Sequence, residues 1–217
     1  MIQSFDNLAS SYARLEAFLF GRRLQQARQH ALLAFDASSP QKALLLGDGD
    51  GRFSCHALQE NPLLLIDAID SSASMLQRAK DRIESVDPSF LERYNPIHAD
   101  ATEYEYPKSH YEIVVTQFFL DCFLSDQANH LIKQLETTIK PNGKFAYADF
   151  SIPQHAFWGF TGRLLIAMLY QYFRFTTDIR AKSLPKLQWP DSLALETKSE
   201  HLKRLLLCEI RSTQDSA

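Results

Sequence analysis

The chain predicts one open α/β domain with a mostly parallel sheet, and three observations carry that expectation. The apolar run that starts at Ala43 breaks into glycines at Gly47, Gly49 and Gly51 and then into a charged, helix-compatible segment. A buried strand, a tight loop and a helix in that order form the usual cradle for a nucleotide-like ligand, because glycine lets backbone and ligand approach closely. A second apolar run, Leu63 to Ile69, ends on Asp70, about twenty residues past the loop. Further runs of strand length alternate with helix-period segments toward the carboxyl end, the pattern of parallel strands joined by helices.

The totals bound the rest. A chain of 217 residues with 45% hydrophobic and 23% charged residues supports one domain with a sizeable core and is too short for two ordinary ones. The formal charge of −3 argues against nucleic-acid binding, which needs a concentrated basic face. The local clusters Arg22 with Arg23, and Arg174 to Lys186, are read as solvated faces. Cys55, Cys122 and Cys208 are odd in number and form no C-x-x-C, so neither a disulfide framework nor a zinc site is expected and a reducing cytoplasm is the natural setting. The opening MIQSFDNLASSY has no secretory pattern and no apolar stretch reaches spanning length, so no transmembrane segment is expected.

The charge of the glycine loop sets the ligand. A diphosphate needs bare N–H groups at a helix N-terminus, yet this loop carries Asp48 and Asp50, and Arg52 stands where a dinucleotide fingerprint has its third small residue. An adenosine derivative with cationic groups fits better. The stretch ALLLGDGDGRF thereby resembles the first motif of the class I S-adenosylmethionine-dependent methyltransferases. SFDNLASSYARLE is similar to the N-terminal segment of the small-molecule branch, including enzymes of ubiquinone and menaquinone synthesis. That resemblance implies a Rossmann-like seven-stranded sheet of order 3-2-1-4-5-7-6, with strand 7 antiparallel and helices on both faces. It also implies an N-terminal helical cap over residues 1–40 and a cofactor-binding core over 41–217, with S-adenosyl-L-methionine as cofactor and S-adenosyl-L-homocysteine as product.

Each element follows in order. Asn7 to Phe35 has helical spacing with a break at Gly21; the resemblance puts Tyr12 over the cofactor pocket, and packing on the core is its other reading. Ser39 and Pro40 end this region, and the central strand begins at Ala43. Arg52 to Gln59 reads as a short helix. Asp70 can accept from both ribose hydroxyls, and IDAIDSSASMLQRAK resembles the second family motif, with Asp70, Ser72, Met75 and Leu76 in matching places; Ser71 is counted with the cofactor-binding residues, and either serine can cap the following helix. Tyr94 to Ala99 is a third strand that stops at Asp100, Ala101 and Thr102. By resemblance the Asp100 carboxylate takes the adenine amino group and the next backbone N–H serves the ring.

Tyr111 to Phe118 is the fourth strand, and Gln117, Phe118 and Phe119 end it where ligands sit in such sheets. The N/D-P-P-Y/F tetrapeptide of enzymes that methylate nucleobases or glutamine is missing there, which leaves an oxygen, a carbon or a different nitrogen of a small molecule. Ser125 to Lys140 reads as a helix capped by Ser125, and the turn Lys140-Pro141-Asn142-Gly143 leads to a fifth strand, with Asn142 left-handed. Trp158 to Phe175 is apolar on nearly every face. A core helix with a lid role, a wall of an apolar acceptor pocket, a homodimer face and a membrane-surface contact all fit it. Leu193 to Thr197 and Arg204 to Ile210 pair as a hairpin.

One position departs from the family pattern. The acid expected two residues before the first glycine is Leu45, and Asp48 or Asp50 is expected to supply its field on the methionine ammonium. Methyl transfer from a sulfonium chiefly needs alignment and desolvation of the acceptor. His155 and Asp149 are the candidates for removing a proton, with Tyr12 and Asp121 behind them, and no side-chain cluster suggests a catalytic metal. The expected function is methyl transfer to a small apolar or aromatic acceptor. A cofactor-binding protein that acts through a partner without transfer is the alternative, and an NAD-dependent oxidoreductase is the rival that a diphosphate-binding loop would have favoured.

Overall fold

Five apolar runs and one carboxyl-terminal hairpin assemble into a single seven-stranded sheet. The computed structural model describes residues 22–153 and 183–214, together with 159, 160, 162–164, 166–168, 170, 171 and 181. Helix α1 (Arg22–His30) precedes β1 (Gln41–Leu46), α2 (Arg52–Glu60), β2 (Leu64–Asp70), α3 (Ala73–Val86) and β3 (Tyr94–His98). Then come β4 (Tyr111–Gln117), α4 (Ser125–Thr138), β5 (Ile139–Phe150), β6 (Leu193–His201) and β7 (Leu206–Thr213). The strand order is β3-β2-β1-β4-β5-β7-β6, with β1 to β5 mutually parallel and β7 antiparallel to both β5 and β6. The order and direction expected by resemblance are both present.

Side chains alternate across each strand, and that alternation divides the core. Ala43 and Leu45 enter one apolar layer with Ile66, Ile113, Phe53, Leu58 and Ile83 from β2, β4, α2 and α3. Leu44 and Leu46 enter the opposite layer with Val114, Phe145, Leu131, Ile132 and Leu135 from β4, β5 and α4. Because both faces are covered, β1 is apolar along its buried length with no polar alternation. Helix α1 lies against β7, where the Cys208 thiol donates to the Ala27 carbonyl at 3.4 Å.

Local chemistry sets the element ends. Gly51 is the N-cap of α2 in the left-handed region at φ 73°, and Ser72 caps α3 by accepting from the Met75 N–H at 3.2 Å. Ser125, expected as the cap of α4, is instead its first residue. Its hydroxyl accepts from the Lys186 N–H at 3.0 Å, while the Gln127 side chain accepts from the Leu124 N–H at 3.3 Å. That helix stops at Thr138, two residues short of the expected end, because Pro141 disfavours helix in the residues before it and the chain passes directly into β5. Asn142 is left-handed at φ 60°.

Toward the amino ends of the strands the charges are matched. Asp67 pairs with Lys42 at 2.8 Å and accepts from Asn95 at 2.9 Å and Tyr111 at 2.8 Å. Burial alone would raise this carboxyl, yet those hydrogen bonds outweigh it and hold Asp67 below the usual carboxylate range.

Candidate functional site

The parallel register places the ends of five strands along one edge of the sheet. Read across it in spatial order they carry Asp100 after β3, Asp70 at the end of β2, the glycine loop after β1, Phe118 and Phe119 after β4, and Asp149 near the end of β5. Strand β1 has β2 on one side and β4 on the other. The chain reverses its winding there, which is where ligands bind in open α/β sheets.

The loop is shaped by close approach. A side chain at Gly51 would put its Cβ 2.7 Å from the Ala79 Cα of α3, so α2 and α3 pack together only because that atom is missing. A Cβ on Gly47 would collide with the Phe119 ring, whereas around Gly49 nothing lies within 4 Å. The loop is thus walled on one side by an aromatic ring and open in its middle.

Its two carboxylates have separate fates. Asp50 accepts from Arg52 Nε at 3.0 Å and from an Arg82 guanidinium nitrogen at 2.8 Å, and Arg82 Nε also holds the Asp50 carbonyl at 2.8 Å. Asp48 accepts from the Ser54 hydroxyl and backbone N–H in the first turn of α2. No Lys, Arg or His among the described residues pairs with it. Burial pushes its carboxyl up to about 6, against the Ser54 hydrogen bonds that pull it down. The helix N-terminus that would receive a diphosphate is therefore already occupied by the chain's own carboxylate. What remains is an anionic loop in which the Asp48 carboxylate has no cationic partner among the described residues, suited to a positively charged ligand.

The other predicted cofactor residues sit in hydrogen-bonded turns. Asp70 Oδ1 accepts from the Ser72 N–H at 2.9 Å, and the Ser71 carbonyl lies 3.1 Å from His98 Nε2. Met75 stands in the first turn of α3, half-buried. Asp100 Oδ1 accepts from the N–H and hydroxyl of Thr102 at 2.9 and 2.7 Å and is exposed, while the Ala101 carbonyl takes the Tyr106 hydroxyl at 2.7 Å. Leu45, in the family's acid position, is 2% exposed within the core, so that position offers the ligand no charge.

After β4 the chain turns sharply. Phe118 is left-handed at φ 53°, which sends consecutive rings apart. The Phe118 ring meets Phe150 at 5.2 Å with the Arg28 guanidinium 5.4 Å above it, whereas the Phe119 ring covers Gly47 and meets Phe123 at 5.1 Å. Gln117 points away from Phe119 and donates to the Arg28 carbonyl at 2.9 Å, tying α1 to the sheet. Asp149, 1% exposed, accepts from the Asp121 N–H at 3.0 Å and the Phe150 N–H at 2.9 Å. It caps the turn that carries Phe119. Burial raises both Asp121 and Asp149, and the field of Asp121 pushes Asp149 well above the usual carboxylate range. The Tyr170 hydroxyl closes this end on the Asp121 carbonyl at 2.8 Å. Tyr12 and His155 lie outside the described residues. Ser54 and Arg82, which separate the roles of the two loop carboxylates, were not singled out from sequence; only the serine at the third position of a helix beginning in the loop hinted at the first of them.

Residues 44–145 match a family model described as a methyltransferase domain. Over that stretch the chain is similar to methyltransferase domains, and its sheet has the fold of solved S-adenosylmethionine-dependent methyltransferases. The mitomycin 7-O-methyltransferase MmcR superposes with a TM-score of 0.66 at 16% identity, over 97% of this chain and 61% of that one. The S-adenosylmethionine-dependent methyltransferase SibL gives 0.63 at 18% identity, over 92% and 58%. The N-methyltransferase NodS of Bradyrhizobium japonicum, solved with S-adenosyl-L-homocysteine, gives 0.56 at 14%, over 90% and 88%. The chain spans about three fifths of the length of MmcR and of SibL. No curated protein matches it in sequence. Among the described residues no helix is long and apolar enough to cross a membrane.

Proposed function

We propose that the protein transfers a methyl group from S-adenosyl-L-methionine to an oxygen, carbon or nitrogen of a small apolar or aromatic acceptor. The observation that carries this reading is Asp48, a half-buried loop carboxylate with no cation paired to it among the described residues, which fills the anion seat of α2. Bound S-adenosyl-L-methionine supplies a methyl group already activated on a sulfonium. Asp48 then serves the cationic methionine end, in place of the acid absent at Leu45, while Asp50 is spent on Arg52 and Arg82. Asp70 receives the ribose hydroxyls, and the remaining oxygen of Asp100 with the backbone at Ala101 and Thr102 receives the adenine. Gly47, Gly49 and Gly51 let the ligand lie against bare backbone, and Met75 borders the adenosine.

Phe118 and Phe119 after β4 and Phe150 at the end of β5 form the acceptor end, where Phe119 excludes water from the glycine loop and aligns the two reactants. Asp149 acts as a positioning residue, since its oxygens hold the turn that bears Phe119. His155 is the candidate group for an acceptor that must lose a proton.

Calorimetry with S-adenosyl-L-methionine, S-adenosyl-L-homocysteine and NAD tests the donor. Binding of the first two and not of NAD is expected; the reverse ends the proposal. Formation of S-adenosyl-L-homocysteine in the presence of a small-molecule extract then tests transfer against binding alone.

A further inference from the structure

We propose that Tyr170 is a positioning residue for the cofactor site, holding Phe119 over the glycine loop through the backbone of Asp121. This role presupposes the cofactor reading of the glycine loop and brings the 159–171 segment into it. The turn after β4 does not keep its shape by local chemistry alone. Phe118 opens it in the left-handed region at φ 53°, where a bulky side chain is strained and persists only if its surroundings over-determine it. Strand β5 grips the turn through the Ala148 carbonyl, which accepts from the Phe118 N–H at 2.8 Å, and through Asp149, which accepts from the Asp121 N–H at 3.0 Å. The 159–171 segment adds a grip from outside the sheet, where the Tyr170 hydroxyl donates to the Asp121 carbonyl at 2.8 Å.

One planar peptide carries that grip to the cofactor loop. The Asp121 carbonyl and the Cys122 N–H belong to the same peptide unit, and the Cys122 N–H donates to the Phe119 carbonyl at 3.1 Å. The Phe119 ring in turn lies so close to the loop that a Cβ at Gly47 would stand 2.4 Å from its Cδ2. Tyr170 is well seated for the task. It is 6% exposed, in the same apolar cluster as Phe150, Ile166 and Leu205, against which Phe118 also packs. Its segment approaches the domain closely, since a Cβ at Gly162 would stand 3.3 Å from Leu205 Cδ1. Burial first, and then the fields of Asp121 and Asp149, push the phenol up, so the hydroxyl stays a donor.

A double-mutant cycle read by calorimetry with S-adenosyl-L-homocysteine tests it. Tyr170→Phe keeps the ring in its cluster and removes only the donor. Its affinity is expected to fall about threefold to tenfold, the range of one lost hydrogen bond. Phe119→Ala should lower affinity by itself, and adding Tyr170→Phe to it should cost nothing further, because the ring through which Tyr170 acts is gone. Unchanged affinity in Tyr170→Phe overturns the proposal. So does an equal further fall in the Phe119→Ala background, the result that general loosening of the fold would give. Either result with a wild-type chain that binds the ligand overturns the role of Tyr170 alone, whereas a wild-type chain that does not bind it overturns the cofactor reading and this role together.

Discussion

The two ends of the parallel sheet treat carboxylates in opposite ways. Toward the amino ends, Asp67 is matched by Lys42, Asn95 and Tyr111, and its carboxyl lies below the usual range. At the carboxyl ends, Asp48 is half-buried and Asp121 and Asp149 are buried, with no described cation beside them, and all three are raised. One end spends its charge on folding. The other holds unmatched negative charge in a place where a cationic ligand can answer it, at a cost to the stability of the unliganded protein.

That contrast is most exposed to Lys42→Met, which strands Asp67 with its neutral partners. Breaking a buried pair from one side costs about 3 kcal/mol, and urea unfolding should show a loss of that order with cofactor affinity unchanged. Asp48→Asn should do the reverse. Affinity for S-adenosyl-L-homocysteine is expected to fall about tenfold to a hundredfold, as for loss of a charge-assisted contact of about 1.5–3 kcal/mol, while the unliganded protein melts no lower than wild type. Equal affinity in wild type and variant would erase the distinction between the two ends.

The pH profile sharpens the comparison next. A carboxyl raised on folding contributes stability that is lost as pH climbs through its folded value, so Asp48 alone makes the unliganded protein more stable near pH 5 than near pH 7. Asp67 is lowered, so its contribution holds above the ordinary carboxylate range and disappears below about pH 4. A melting-temperature maximum between those limits is expected. Cofactor affinity, which needs ionised Asp48, should climb from pH 5 to 7 across the interval in which stability declines. A profile in which both move together contradicts the assignment.

Two smaller effects complete the series. Asp149→Asn keeps one of the two acceptors that hold the turn and sets an amide N–H against the other backbone N–H, so a stability loss of about 1–3 kcal/mol with only a partial fall in turnover is expected of a positioning residue; loss of all turnover in the folded variant would make it the proton acceptor instead. Asp50→Asn, whose partners are two arginines outside the anionic pocket, should change cofactor affinity by less than about threefold.

Sequence periodicity and local motifs determined a good deal by themselves. The strand and helix alternation, the capping by Ser72, the left-handed Asn142 and the glycine loop are short-range properties, governed by sterics and hydrogen bonds within a few residues. The sheet order was implied only by the family resemblance, not by periodicity, and it matches the observed one. What tertiary structure alone decided was the fate of each charge and ring. Asp48 and Asp50 are alike as loop acids in the sequence, and Arg82, reaching over from α3, joins the neighbouring Arg52 on Asp50 alone. Phe118 and Phe119 are adjacent and identical, yet the left-handed turn directs one ring to Phe150 and the other onto Gly47. The 159–171 segment is apolar on nearly every face by composition, and the approach of Gly162 to Leu205 marks the side that faces the domain. In each case the deciding partner lies far along the chain, so burial and charge compensation exist only once the sheet has assembled.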